Sequence, residues 1–186
     1  EAYVNEKGYI LGHYPQSMDL AEMGGLVATR STGQFSTKYG GIEDLLIGLE
    51  AVLPNGEIVR IKSSPRRAVG PDLRHLFVGS EGFIGIITQV TVKLFPKPES
   101  RWMQAYRVST IRQGLEIIQL VMREEIRPAV VRLHDWLECE KPYGAFMEEG
   151  ENLLLFLSEG TEGLCEYEGQ TIDRIATENG GIAAGK

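Results

Sequence analysis

The chain has 186 residues, 42% of them hydrophobic and 24% charged, with a formal net charge of -7. That length holds one ordinary domain, or one domain and part of another, and the apolar share is enough for a packed core, which excludes disordered and fibrous classes. The negative balance argues against nucleic acid as a partner, because phosphate neutralisation needs clustered Lys and Arg, and no apolar run approaches the ~20 residues of a membrane-spanning helix.

The N-terminal Glu1-Ala2-Tyr3-Val4-Asn5-Glu6 has no basic stretch followed by an apolar one, so no signal peptide is expected. A chain without an initiating Met is expected to have lost residues or never to have included them. Ser17 predicts the start of a helix through Met18–Met23, with Asp19 and Glu22 in its early turns where the helix dipole favours acids. Runs 48–53 and 57–61 flank Pro54-Asn55-Gly56, and Asn-Gly between β-like runs predicts a hairpin because that turn needs positive φ. Pro71 and Asp72 suit the first turn of a short helix over Asp72–Val78, and Ile84–Phe95 alternates as a strand. Pro96-Lys97-Pro98-Glu99 stops any ladder or helix and predicts a boundary, giving domains 1–98 and 99–186.

Beyond it, Trp102–Val108 predicts a strand. Gly114–Glu125 predicts a helix with Leu115, Ile118 and Met122 on its inner face. A strand over Ala129–Leu133, another over Asn152–Leu157 and a helix over Glu162–Glu178 follow, the last ended by Asn179-Gly180-Gly181. This order is that of a split βαβ, ferredoxin-like domain, expected to stop unfinished at Lys186. Cys139 and Cys165 form no close motif and read as free thiols. His13, His75 and His134 lack zinc-type spacing, so no metal is expected.

Five segments carry chemistry. In Gly79-Ser80-Glu81-Gly82-Phe83-Ile84-Gly85 a glycine recurs every third position, which lets backbone approach a ligand. A dinucleotide-binding Rossmann loop follows a strand and opens a helix, whereas here a helix precedes and a strand follows. On spacing alone the segment favours a plain tight connection between helix and strand. Gly24-Gly25 inside a helix costs about 1 kcal/mol each against Ala; a close ligand or a packed neighbour would each account for the pair. Thr29-Arg30-Ser31-Thr32-Gly33 offers hydroxyls and a guanidinium suited to phosphate or ribose, or to an ordinary polar loop. Arg66-Arg67 before Gly70-Pro71-Asp72 can hold an anion or be solvated. Arg132, within Ala129-Val130-Val131-Arg132-Leu133, is either an outward position of a half-exposed strand or a cation held in a site.

Taken together, residues 24–33, Tyr39-Gly40-Gly41-Ile42-Glu43-Asp44-Leu45, Gly70-Pro71-Asp72-Leu73 and Gly79-Ser80-Glu81-Gly82 resemble the para-cresol methylhydroxylase-type FAD domain of the vanillyl-alcohol oxidase superfamily. Within it they are similar to the alkyldihydroxyacetonephosphate synthase branch and its bacterial FAD-linked oxidase relatives. Redox members carry Ala-Gly-Tyr-Asp where this chain has Val69-Gly70-Pro71-Asp72. The resemblance spans about residues 8 to 135 and continues loosely to the end. It implies an α+β fold, the second subdomain of the FAD domain followed by part of a ferredoxin-like cap domain. FAD contacts are implied at Gln16, Ser17, Met18, Asp19, Leu20, Ala21 and Glu22, at Thr29, Arg30, Ser31 and Thr32, and at Glu81, Gly82, Phe83, Ile84, Gly85, Ile86 and Ile87. Phe83-Ile84 replaces the family's Thr-Leu, and residues 16–22 match only at Ser17 and, by charge, at Asp19. Pro128, Arg132, Leu133 and Asp135 fit the synthase's Pro-x-x-x-Arg-Leu-x-Asp run, which implies a catalytic role for Arg132.

The resemblance also implies a glycine-rich pyrophosphate loop before residue 1 and a catalytic Tyr and His-rich segment after residue 186. The chain is therefore expected to be an internal piece with weak or no FAD affinity and no activity alone. For the intact enzyme the resemblance implies an exchange without net redox change, acyl-dihydroxyacetone phosphate plus fatty alcohol giving an ether lipid precursor. A D-2-hydroxyacid oxidoreductase on the same scaffold, or a non-catalytic module, are the rival expectations. Implied partners are a small or lipid-like substrate, a peripheral membrane contact of the parent and a second copy in a homodimer. The implied compartment is cytoplasmic if bacterial and peroxisomal if eukaryotic.

Overall fold

The computed structural model describes residues 1–66 and 68–184, with Phe146 described only by its backbone. Its contacts fall into two compact units, Glu1–Lys97 and Pro98–Lys186. Of the Arg66-Arg67 pair, Arg67 lies outside the described residues.

The first unit opens with a short helix α1 (Ala2–Asn5) and strand β1 (Tyr9–Ile10). Helices α2 (Met23–Ala28), α3 (Ser36–Tyr39) and α4 (Ile42–Leu45) follow. Strand β2 (Leu46–Val52) turns back through Pro54-Asn55-Gly56 into β3 (Ile58–Ile61). Gly56 takes φ 85° there, and the strands pair antiparallel from Leu49↔Ile61 to Val52↔Ile58. Helix α5 (Arg74–Phe77), strand β4 (Ile86–Val92) and strand β5 (Phe95–Pro96) complete the unit. The main sheet runs β3-β2-β4, while β1 and β5 pair separately. Val27, Ile42, Leu45, Leu46, Leu49, Ala51 and Phe77 form its core, so α2, α4 and α5 cover one face of that sheet.

The helix expected to begin at Ser17 does not form. Met18–Leu20 is a single 3-10 turn, Ser17 makes no capping bond, and the α-helix starts at Met23 after Glu22 in extended conformation. The side chains explain the break: Met18 and Leu20 face solvent, while Leu26 and Val27 are the residues that reach the core. Burial rather than capping potential sets the start.

In the second unit, β6 (Ser100–Val108) leads to α6 (Ile111–Arg123), β7 (Val130–His134), α7 (Trp136–Tyr143), β8 (Asn152–Gly160), α8 (Glu162–Glu178) and β9 (Ile182–Ala183). The sheet order is β7-β8-β6-β9 and every pair is antiparallel. This is the βαββαβ order of a ferredoxin-like domain, with the fourth strand described over two residues beside Tyr106 and Arg107. Helices α6 and α8 bury Ile117, Val121, Ile172, Ile175 and Ala176 against Tyr106, Val108, Leu154 and Phe156. Tyr106 donates from its hydroxyl to Asp173 Oδ1 at 2.8 Å. Burial first, and the Asp173 carboxylate second, push that phenol well above its ordinary pKa. Cys139 and Cys165 are both buried and form no disulfide among the described residues.

The inner face of α6 differs from the expected one. Gly114, Ile117 and Val121 are buried and Ile118 packs on the core as expected, whereas Leu115 is 55% exposed and Met122 also faces solvent. The stripe is displaced by one residue because Gly114 is a contact position: a Cβ there would lie 2.6 Å from Leu133 Cδ1. A glycine packed under a leucine carries no hydrophobic signal in the sequence. Thr110 caps the helix by accepting from Gln113 N–H at 3.1 Å.

These positions separate by mutation. Ile117→Ala is expected to lower stability by about 2–4 kcal/mol and Leu115→Ala by less than ~0.5 kcal/mol, measured by urea unfolding of the chain. Equal losses would show that the inner stripe is misassigned.

Candidate functional site

A groove of about 630 Å³ runs between α2 and the turn that enters β4, lined by Glu22, Met23, Gly24, Gly25, Ala28 and Thr29 on one side and Glu81, Gly82, Gly85, Ile86, Ile87 and Thr88 on the other. Two close backbone approaches shape it. A Cβ on Gly24 would lie 2.8 Å from the Ile87 carbonyl oxygen, and one on Gly85 would lie 2.6 Å from that of Val52. Gly25 and Gly82 differ: a Cβ on either would meet nothing within 4 Å. The helical glycine pair therefore has two separate causes. Gly24 lets α2 touch β4, and Gly25 leaves the groove floor open.

The end of α2 is built to hold the opposite wall. Arg30 N–H donates to Val27 O at 3.1 Å and Ser31 N–H to Leu26 O at 2.9 Å, with Arg30 at φ 53°. This is a Schellman motif with Arg in the left-handed position that glycine usually fills. Gly79 N–H then donates to Val27 O at 3.0 Å and Glu81 N–H to Ala28 O at 2.9 Å, so the glycine turn hangs from the last carbonyls of the helix. Glu81 (φ 48°) and Gly82 (φ 84°) are both left-handed. A non-glycine residue held so is strained and persists only because its surroundings fix it.

The remaining motif residues tie this frame together. Arg30 Nε meets Glu43 Oε1 at 3.1 Å, and Gly41 N–H donates to Asp44 Oδ2 at 2.9 Å at the start of α4. Arg74 donates to both Asp72 oxygens and from Nη1 to Leu46 O at 2.7 Å and Ser64 O at 3.3 Å. Gly-Pro-Asp thus works through Arg74, which sequence reasoning passed over because it follows the motif rather than forming it. The Arg74 side chain holds the Asp72 carboxyl down to about pKa 2. His13 is buried with neither ring nitrogen partnered among the described residues. Burial lowers its pKa, and the Glu43 carboxylate pulls the other way.

Of the residues implied to touch FAD, Glu22, Thr29, Glu81, Gly82, Gly85, Ile86 and Ile87 line one groove. Gln16, Ser17, Met18, Asp19, Leu20 and Ala21 lie outside its lining, as do Arg30, Ser31, Thr32, Phe83 and Ile84. Phe83 is 91% exposed, Ile84 packs on the core, and Arg30 is taken by Glu43. Met23, Gly24, Gly25, Ala28 and Thr88 join the lining without having been singled out for FAD contact. Arg132 belongs to the second unit, on β7 opposite Leu155, and has no ion-pair or hydrogen-bond partner among the described residues.

The groove fits the flat, uncharged portion of FAD. Its floor is open at Gly25 and Gly82, Met23, Ile86 and Ile87 supply apolar wall, and Glu22 and Glu81 offer acceptors for ring N–H or ribityl hydroxyls. Thr29 spends its hydroxyl proton on Gly25 O at 3.0 Å, so it also faces the groove as an acceptor. No Lys or Arg lines the groove among the described residues, which disfavours it as a pyrophosphate seat.

Residues 1–62 match the FAD binding domain family. The chain is 46% identical over 176 residues to the uncharacterized FAD-linked oxidoreductase YgcU of Escherichia coli (strain K12), covering 94% of this chain and 36% of that protein. It is 37% identical over 135 residues to alkyldihydroxyacetonephosphate synthase of Caenorhabditis elegans, covering 73% of this chain and 23% of the synthase. A solved structure of alkyldihydroxyacetonephosphate synthase superposes on all of this chain with a TM-score of 0.86 at 26% identity, over 38% of its own length. The chain therefore spans between 23% and 38% of the length of these relatives.

Two measurements probe the groove. Gly25→Ala should leave the melting temperature unchanged or raise it, removing up to about 1 kcal/mol of helix cost, while weakening FAD binding in the flavin-loaded enzyme. Gly24→Ala should destabilise the fold by contrast. The Asp72 carboxyl, depressed in the folded state, adds stability above its ordinary 3.8 that is lost as pH falls toward about 2. The stability difference between wild type and Asp72→Asn should shrink over that window in acid-titrated unfolding. By matched domain and relatives, the chain carries an FAD binding domain over residues 1–62 and is related to FAD-linked oxidoreductases and alkyldihydroxyacetonephosphate synthases, with FAD as its cofactor.

Proposed function

We propose that this chain is the flavin-facing and substrate-facing portion of an enzyme resembling alkyldihydroxyacetonephosphate synthase, which exchanges the fatty acid of acyl-dihydroxyacetone phosphate for a fatty alcohol. The observation that supports this reading most is the superposition of a synthase structure on both units of the chain, not on the FAD-binding unit alone. When bound, FAD supplies the carbon-holding chemistry of that exchange. The chain's own residues do the rest. Gly25 and Gly82 let the ring lie close to backbone, Glu22 and Glu81 orient it, and Met23, Ile86 and Ile87 keep water from that side. Arg132, unpaired on its strand, meets the anionic substrate.

A second reading is favoured by the name of the 46% identical relative, an FAD-linked oxidoreductase. On that reading the same groove serves oxidation of a D-2-hydroxy acid.

The FAD-loaded enzyme is expected to form the ether product from acyl-dihydroxyacetone phosphate and a fatty alcohol without consuming an electron acceptor. Lasting flavin bleaching by D-lactate or glycolate, with no ether product, would replace the first reading by the second. Arg132→Ala is expected to lower kcat/KM by about a hundredfold or more, the scale of losing one cation opposite substrate charge.

A further inference from the structure

Strand alternation divides β7 between two faces of its sheet. Val131 and Leu133 turn toward α6 and α8 and pack on the core those helices make. Arg132 and His134 therefore project from the opposite face. Their register partners are Leu155 and Leu153 on β8, and those in turn pair with Ala105 and Arg107 on β6. Part of this face is covered by α7, through Trp136 and Cys139 with Met147, packed on Leu153 and Ala105. His134 stands at the edge of that cover, and Arg132 lies two residues back, about 6.6 Å along the strand.

The start of α7 fixes the His134 ring. Asp135 caps the helix, accepting from Glu138 N–H at 2.9 Å, which sets Glu138 one turn above His134. His134 Nδ1 then lies 2.7 Å from Glu138 Oε2. Two acceptors do not approach that closely, so Nδ1 carries its proton toward the carboxylate and Nε2 is the nitrogen left to act elsewhere. Nε2 has no partner among the described residues. Arg132, next on the same face, has none either.

We propose that Arg132 and His134 form a two-point site for a small oxyanion, with His134 Nε2 as a specificity-determining contact beside the Arg132 guanidinium. The inference rests on the reading that Arg132 meets an anionic substrate, and adds to it the residue that shares the load. The guanidinium takes two oxygens of a carboxylate or phosphate. Nε2 takes the neighbouring oxygen, donating to it as N–H or accepting from a hydroxyl through its lone pair. Carboxylate and phosphate share this chemistry, and two ligands tell them apart.

The test is titration of the 186-residue chain with inorganic phosphate and, separately, with D-lactate, followed on the His134 ring protons and the backbone amides of β7 by NMR. Saturable shifts with at least one ligand are expected, and the stronger binder names the anion. Shifts with neither overturn the proposal. Two variants separate ligand contact from helix anchoring. Asn keeps an amide nitrogen near the Nδ1 position and loses the Nε2 position, whereas Gln does the reverse. His134→Asn is expected to weaken binding about tenfold or more with an unchanged melting temperature, and His134→Gln to weaken it by roughly threefold or less. Wild-type affinity in His134→Asn would make His134 an anchor of α7 only, and overturn the proposal. If Arg132→Ala abolishes binding while His134→Asn does not, the reading of Arg132 stands and the two-point site fails. If both variants lose binding but the enzyme forms no ether product, the site stands and the synthase reading fails.

Discussion

Helix α2 rests on β4 at a separation that only a hydrogen atom at Gly24 permits, with the Ile87 carbonyl 2.8 Å from where a Cβ would stand. Most of the first unit follows from that contact. It places the helix end where its last carbonyls can receive the amides of Gly79 and Glu81, and so suspends the glycine turn opposite the helix. Strand β4 is itself held to β2 from Leu46↔Val92 to Val52↔Ile86, so the groove wall is continuous with the sheet. A binding surface built on a ladder and a capped helix is fixed more tightly than one built on loops alone.

The sequence made legible what periodicity and turn chemistry encode. Asn55-Gly56 gave its hairpin because that turn admits few residues, and Glu162–Glu178 was readable because a long amphipathic run ends at Asn179-Gly180. Reading failed where a residue's role is to be small or to be elsewhere. Gly114 displaced the α6 stripe by one position, since a glycine under Leu133 contributes no hydrophobic signal. Ser17 offered a cap, but Met18 and Leu20 had no core to enter, so the helix began five residues later, at Met23. Gly24 and Gly25 are identical letters with opposite surroundings, and only the coordinates distinguish a packed glycine from an open one. The grouping of Glu22, Thr29 and residues 81–87 came from resemblance rather than from spacing, because α2 and β4 are some sixty residues apart in sequence and nothing local announces that they face one another.

Charge is distributed unevenly in a way that bears on ligand choice. The groove carries Glu22 and Glu81 and no cation among the described residues. The cations near it are committed: Arg30 to Glu43, and Arg74 to Asp72 and two carbonyls. A surface so arranged favours neutral rings and hydroxyls over phosphates. In the second unit the opposite holds at Arg132, a cation on a strand between apolar neighbours with no carboxylate paired to it among the described residues. Solvating or pairing such a group is the ordinary outcome, and its isolation is what gives the strand chemical interest.

The nine-residue pairing of β6 with β8 also determines how the second unit is assembled. It joins Ser100 to Gly160 and Val108 to Asn152, so the chain between these strands forms a loop that includes α6, β7 and α7. Closing so long a loop costs entropy before any ladder bond repays it. Helix α6, capped at Thr110 and hydrogen-bonded within its own turns, can form first and shorten the effective loop; the β6–β8 ladder then closes late and all together. Folding speed in this unit is thus governed by a helix that contributes no strand to the sheet, and a sequence change in α6 that leaves final stability alone still alters how long β6 and β8 remain exposed as unpaired edges.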